Sequence, residues 1–472
     1  MRILAVDQGT SSTKAAVVEA DGSVSALCER PVAVSARDGG VEVDPQALLG
    51  SVLEAGAEAV ALAGTVDAVA LANQGETVLA WDPRTGRPLT PALVWQDSRA
   101  QVICDELADH AAQIAQRTGL ILDPYFVAPK LAWIRRHWTR EGVATTTDVW
   151  LVHQLCGAFV TDTSTASRSL LTALDDVEYD PWLLEVFGLA DERLPRIAAC
   201  DEVVGTTAAF GAEIPVAGLM VDQQAALLAE ACLRPGDAKC TYGTGAFLLA
   251  NAGGPVRSGH GLTTSAAWRL RGETAWCVDG QVFTAAAAID WLVRLGLLDS
   301  PESLDSAVAR ATDPGVDFVP GLAGLGAPHW SSTARGSWSG LSLASGRDDL
   351  VRAVVWGIAA AVVELAAAAA ADLGAPLRTL RVDGGLARSS ALLQAQADLL
   401  QSAVEVYPSP HATAIGAAAA CRLALTPGLS VEEAASGWSP AATYEPRMPA
   451  DQAAERMSRW RAAAAESLRA GQ

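Results

Sequence analysis

Three times in this chain a strand-like run ends in an acid that is followed at once by a turn or a helix. Ile3–Val6 runs into Asp7-Gln8-Gly9, Ile214–Val221 into Asp222-Gln223-Gln224, and Arg381-Val382 into Asp383-Gly384-Gly385. Open α/β sheets bind ligands outside the carboxyl ends of their strands, so an acid delivered there can face a ligand rather than the core. An α/β fold is therefore the first expectation.

The order of elements supports it. Ile3–Val6 and Lys14–Val18 read as strands around the polar turn Asp7–Ser12, and Asp21-Gly22 marks a hairpin into a third strand. A helical pattern over Pro45–Gly64 leads to a strand at Ala68–Ala72, and a strand–turn–strand spans Val78–Trp95 with Pro83-Arg84-Thr85-Gly86 at its tip. A similar start recurs in mid-chain, with Ala238–Tyr242, the turn Gly243-Thr244-Gly245, and Phe247–Asn251. Two related α/β halves follow, divided near Leu233-Arg234-Pro235-Gly236. Ala450–Leu468 reads as a closing packing helix.

Composition removes several classes of function. Of 472 residues, 54 are acidic and 34 basic, and the formal charge of −20 excludes a general binder of nucleic acid or anionic membrane. An anionic ligand must be held by local devices instead, such as backbone N–H groups, a single Lys or a metal ion. The eight cysteines contain no C-x-x-C pair, so a zinc site is not expected and reduced thiols in a cytoplasmic protein are. Met1–Asp7 holds no signal-peptide apolar region. Ala353–Ala371 carries only Glu364 as a charge, but its alanine content suits a buried helix better than a membrane span.

Four segments have the makings of a site. Asp7 to Lys14 combines an acid, a Gly turn, hydroxyls and a Lys, the parts of a phosphate cradle beside a metal. It is also an ordinary hairpin rich in turn formers, and it lacks the spacing of a Walker loop. Asp222 fits a helix cap, and equally a carboxylate that takes the proton of an attacking hydroxyl. Gly384-Gly385 lets a ligand approach the backbone, and is also the make-up of a plain strand-to-helix turn. Asn73-Gln74-Gly75-Glu76, Trp95-Gln96-Asp97 and Asp123-Pro124-Tyr125-Phe126 set polar groups beside aromatics, a mixture that suits a polyhydroxylated ligand. Each of these, taken singly, is also a common structural aromatic.

In this order, the segments together resemble the FGGY family of carbohydrate kinases, and within it the glycerol kinases. The likeness runs from Asp7-Gln8-Gly9-Thr10 to about Ala420, through Leu122–Phe126, Thr161–Arg168, Val221–Leu227, Thr241–Gly245, Gly324–Pro328 and Arg381–Gly385. It implies two ribonuclease-H-like domains of the actin-like ATPase fold, 1–234 and 235–472, with the site in the cleft between them. It also implies transfer of the γ-phosphoryl group of ATP, with Mg²⁺, to a primary hydroxyl of glycerol or a similar small polyol, and it is compatible with a homodimer. On this resemblance Asp222 is the catalytic base, Asp7 lies near the metal, and Thr10, Ser11 and Lys14 contact phosphates. Thr244, Ala286, Asp290, Gly385 and Ser389 fall on the nucleotide side. Glu76, Trp95, Tyr125, Asp222 and Phe247 fall on the polyol.

The chain departs from that pattern at several of these positions. Lys14 stands where glycerol kinases usually carry Arg, Ala286 where they carry Gly, Asp290 for Gln and Ser389 for Asn. Gly75 replaces an Arg immediately before the Glu. Losing that side chain removes donors to a terminal hydroxyl and opens space, which makes a tetritol or a xylulose- or ribulose-type ketose the alternative substrate. A non-catalytic sensor on the same fold is less favoured, because Asp7, Lys14 and Asp222 are all present.

Overall fold

The computed structural model describes residues 1–37, 40–312, 315–435 and 437–471. The opening run of Ile, Leu, Ala and Val forms Ile3–Gln8 (β1), which pairs antiparallel with Ser12–Val18 (β2). The strand extends two residues past the expected end at Val6, because Asp7 and Gln8 also take ladder partners, Lys14 and Thr13. Val24–Pro31 (β3) adds an edge. The Pro45–Ala63 helix then begins where expected, with Pro45 in its first turn and the Asp44 carboxylate accepting from Gln46 N–H. It lays Leu48, Val52, Ala55 and Ala59 on the sheet. Ala68–Asn73 (β4), Gly205–Thr207 (β5) and Ile214–Val221 (β6) complete a sheet of order β5-β6-β4-β1-β2-β3.

Ala238–Tyr242 (β7), Ala246–Asn251 (β8), Thr263–Leu270 (β9), Glu273–Val282 (β10), Leu380–Asp383 (β11), Val404–Val406 (β12) and Ala442–Tyr444 (β13) form a second sheet, ordered β9-β10-β8-β7-β11-β12-β13. Stepping inward from β3, successive pairs of the first sheet are antiparallel, antiparallel, parallel, parallel and antiparallel. The same series runs from β10 to β13. The recurrence visible in the two meanders is thus a repeat of whole-sheet topology. A separate antiparallel sheet, containing Val78–Trp81, Ala92–Leu93 and Val143–Thr146, is inserted in the first half and carries Trp95 at its margin.

Among the described residues two helices, Pro45–Ala63 and Arg347–Leu373, are long and apolar enough to cross a membrane. The second is packed inside the second half, with Val354, Ile358, Val362 and Leu365 fully buried. All eight cysteines are free thiols. The Ala412–Leu425 helix joins the halves, crossing the Asp222–Ala229 helix so closely that a Cβ on Gly416 would lie 1.8 Å from the Ala225 carbonyl oxygen. The obstacle is backbone and cannot turn aside. Gly416→Val should therefore cost about 3 kcal/mol or more, read as a fall in Tm of several degrees. An unchanged melting curve would contradict this packing.

Candidate active site

Parallel pairing sets the site. β1 and β6 both flank β4 in parallel, with Gln8 and Val221 each in register with Asn73. Three carboxyl ends therefore lie side by side, and the Asp7 turn, the Asn73–Glu76 turn and Asp222 meet at one edge of the sheet. Glu76 is buried at 3% exposure and sits at φ 58°, a left-handed conformation that non-glycine residues seldom adopt. Such strain persists where the surroundings over-determine it, and here an ion pair with Arg168 holds the side chain.

A small pocket opens above this edge. Glu76, Tyr125, Arg168 and Asp222 line it from the first half of the chain, and Phe247 and Asp279 from the second. Tyr125 meets Trp95 edge-on at 5.6 Å, and the Trp95 indole donates to the Thr10 hydroxyl oxygen at 2.9 Å. The Tyr125 segment is propped from beneath by buried Lys130, whose ammonium donates to the carbonyls of Pro124, Tyr125 and Phe126. Burial lowers the Lys130 pKa to about 8, against an opposing pull from the charges of Glu76, Asp123 and Asp97.

Asp222 is the first helical residue and is not the N-cap, which is Val221. One carboxylate oxygen accepts from Gln223 N–H at 2.6 Å, and the other has no partner among the described residues. Burial, and next the charge of Asp7, push its pKa to about 7, against an opposing pull from Lys239. Burial likewise pushes Asp7 to about 6, with Lys14 opposing it. Lys239 is fully buried and donates to Gln223 Oε1 at 2.5 Å and Thr241 Oγ1 at 2.7 Å. Burial, more than neighbouring charge, thus raises both carboxyls at this edge. Among the described residues no three His, Cys, Asp or Glu side chains converge as a metal cage. Mg²⁺ requires no cage, only one or two carboxylates with phosphate oxygens and water, and the residues here fit that demand.

In the Asp7–Lys14 turn, Gly9 N–H bonds Ser12 O at 3.0 Å, Ser11 is exposed, and Thr10 keeps its own O–H free to donate. Thr244 is exposed in the Gly243–Gly245 turn, which sits on the start of the Ala286–Arg294 helix: Ala286 N–H bonds Gly243 O, and Ala285 and Ala287 bond Thr244 O. Gly384 has φ 92°, and a Cβ there would lie 2.5 Å from Tyr242 O, so β7 and β11 converge only because it is glycine. Gly385 is exposed beside it. Asp290 is exposed on its helix and lies outside the pocket lining. Ser389 is the N-cap of the Ser390–Leu400 helix, accepting from Leu392 N–H and donating to Asp305 at 2.5 Å. Its hydroxyl is committed on both sides.

The space expected from Gly75 is reduced at its root, because a Cβ there would already lie 2.9 Å from Val221 Cγ2. Sequence reasoning also gave no role to Arg168, Lys130, Lys239 or Asp279. The available signal was a charge inside an apolar strand, as in Ala238-Lys239-Cys240 and Cys277-Val278-Asp279, since such charges are buried only when paired.

Family models agree with this architecture. Residues 2–229 match the N-terminal domain, and residues 238–425 the C-terminal domain, of the FGGY family of carbohydrate kinases. The chain belongs to that family. It is 41% identical to a glycerol kinase of Aromatoleum aromaticum over 98% of this chain and 97% of that one. The glycerol kinase of Plasmodium falciparum, solved with ADP, superposes with a TM-score of 0.93 at 28% identity over 99% of this chain and 98% of that one. The xylulose kinase of Lactobacillus acidophilus, at 20% identity over 99% and 98% of the two chains, has a TM-score of 0.89 and shares the fold alone.

Proposed function

We propose that this chain transfers the γ-phosphoryl group of ATP to a primary hydroxyl of glycerol, with Asp222 as general base. The observation that carries this is that Asp222, with one carboxylate oxygen unpartnered among the described residues, lines a pocket walled by both halves of the chain. A pKa near 7 leaves about half of the carboxylate ionised at neutral pH and makes it basic enough to accept the hydroxyl proton as the bond to phosphorus forms. Glu76 accepts a hydroxyl of the polyol, while Trp95, Tyr125 and Phe247 cover its C–H face. On the other side, Thr10, Ser11 and Lys14 cradle the phosphates. Thr244, Ala286 and Gly385 flank the nucleotide, with Asp290 and Ser389 on its margin. Asp7 would hold Mg²⁺, which when bound neutralises charge on the transferred phosphoryl group. Closure of the two halves excludes water, which could otherwise replace the polyol as acceptor. We place the division of these halves at 234/235 and read the protein as cytoplasmic, and the reading is compatible with a homodimer.

The reduced space beside Gly75 favours glycerol over a tetritol or ketose. An ADP-release assay with Mg·ATP across glycerol, erythritol, the pentitols, xylulose and ribulose tests this. Glycerol should give the highest kcat/KM by a wide margin. A tetritol or ketose as the best acceptor would overturn the substrate, and silence across the panel would overturn the activity.

A further inference from the structure

The strongest unexplained feature of the pocket is Arg168. It follows the short Thr163–Ala166 helix in the first half of the chain, and its side chain is only 8% exposed. Nε donates to Glu76. Nη1 donates across the cleft to Asp279 at 3.2 Å and lies 3.4 Å from Ser265 Oγ, both from the second half of the chain. None of these bonds uses Nη2, and Arg168 lines the pocket beside Asp222. The guanidinium carbon lies 5.8 Å from the centroids of both Tyr125 and Phe126, which fix its plane. A guanidinium presents its donors in a rigid fork, so with Nε and Nη1 held by the protein the direction of Nη2 is set before any ligand enters.

We propose that Arg168 determines acceptor specificity by donating from Nη2 to a non-reacting hydroxyl of the polyol, while its bond to Glu76 aims that carboxylate at a neighbouring hydroxyl. This deepens the glycerol reading and rests on it. Donor and acceptor then stand side by side, as recognition of a vicinal diol requires. The position before Glu76 cannot supply the donor, since Gly75 has no side chain. Because Nη1 ties to Asp279 and Ser265, the same residue links acceptor recognition to the approach of the two halves. The acceptor class is a short polyol with a hydroxyl adjacent to those Glu76 accepts, and a diol lacking the contacted hydroxyl should be rejected. A site built to bond a hydroxyl discriminates strongly against an analogue without it, because its own polar group is then left unpaired.

The test compares glycerol with 1,2-propanediol and 1,3-propanediol in the wild type and in Arg168→Lys, which keeps the charge and loses the fork. In the wild type, kcat/KM should fall by about 10²-fold or more for the diol that lacks the contacted hydroxyl. In Arg168→Lys the glycerol KM should rise at least about tenfold, kcat should change less, and the discrimination against that diol should shrink to a few-fold. Mg·ATP affinity by calorimetry should stay within about twofold, which a general loss of structure would not allow. If the lysine variant does not fold, Arg168→Gln combined with Asp279→Asn removes opposite charges together, and the same discrimination ratio is read from it. A variant that slows glycerol and both diols by one common factor would overturn the role of Arg168. A wild type inactive on glycerol would overturn the function and this inference together, and it is the wild-type arm that separates the two failures.

Discussion

Asp222→Asn should lower kcat by about 10³-fold while leaving Mg·ATP binding nearly unchanged, because it removes the proton acceptor without altering size or the bond from Gln223 N–H. Retention of more than a tenth of kcat would remove Asp222 from the role of base. In the active wild type, kcat/KM for the polyol should fall about tenfold per pH unit below about 7, as the base becomes protonated. The same substitution should also change stability, with a sign fixed by the raised pKa. The carboxyl titrates near 7 when folded against an ordinary 3.8, so the folded chain holds a proton there that the unfolded chain has released. Its stabilising contribution is complete below pH 3.8 and is lost as pH rises through 7. Asn carries no such charge. The variant should therefore be more stable than the wild type above pH 7, by about 1–2 kcal/mol after allowance for residual solvent screening, and equal to it near pH 3. Thermal melts of the ligand-free protein at both pH values check this, and a less stable variant at pH 8 would show that Asp222 is paired in the fold.

Asp7→Asn is expected to reduce kcat by about 10²-fold and to raise the Mg²⁺ concentration for half-maximal rate about tenfold. It carries a second, independent signature. After burial itself, the charge of Asp7 is the main cause of the high pKa of Asp222. Removing it should move the acid limb of the pH–rate profile to lower pH, even though Asp222 is untouched. An unmoved limb with an unchanged Mg²⁺ requirement would place Asp7 outside the site and return its turn to the status of an ordinary hairpin.

Much of this protein is legible in its sequence. β6 and β7 run over the residues expected of them, Ile214–Val221 and Ala238–Tyr242. The Ala353–Ala371 run lies within the buried Arg347–Leu373 helix. These are long apolar segments with sharp Gly, Pro or Asp boundaries, where local propensity and burial demand the same conformation. Asp7, Glu76 and Asp222 could be nominated because each follows an apolar strand, and parallel pairing then sets their shared edge. The family resemblance covered the same residues and added the nucleotide side.

Other features depended on contacts between residues far apart in the chain, which no local pattern encodes. Ser389 reads from sequence as a nucleotide-side residue, yet Asp305 and the start of its own helix take its hydroxyl. Gly75 reads as an opening, yet Val221, at the end of the neighbouring strand β6, already lies against the position of its missing Cβ. Arg168 reads as one basic residue after a Ser- and Thr-rich turn, yet it pairs with Glu76 and Asp279, 92 and 111 residues away. The sequence by itself determined the strands, their ligand-facing acids and the doubling of the fold, because these follow from periodicity and turn chemistry within a few residues. Only the tertiary structure decided which charges are paired, which space is filled and which donor remains for the substrate, because those depend on volume and electrostatics summed over both halves of the chain.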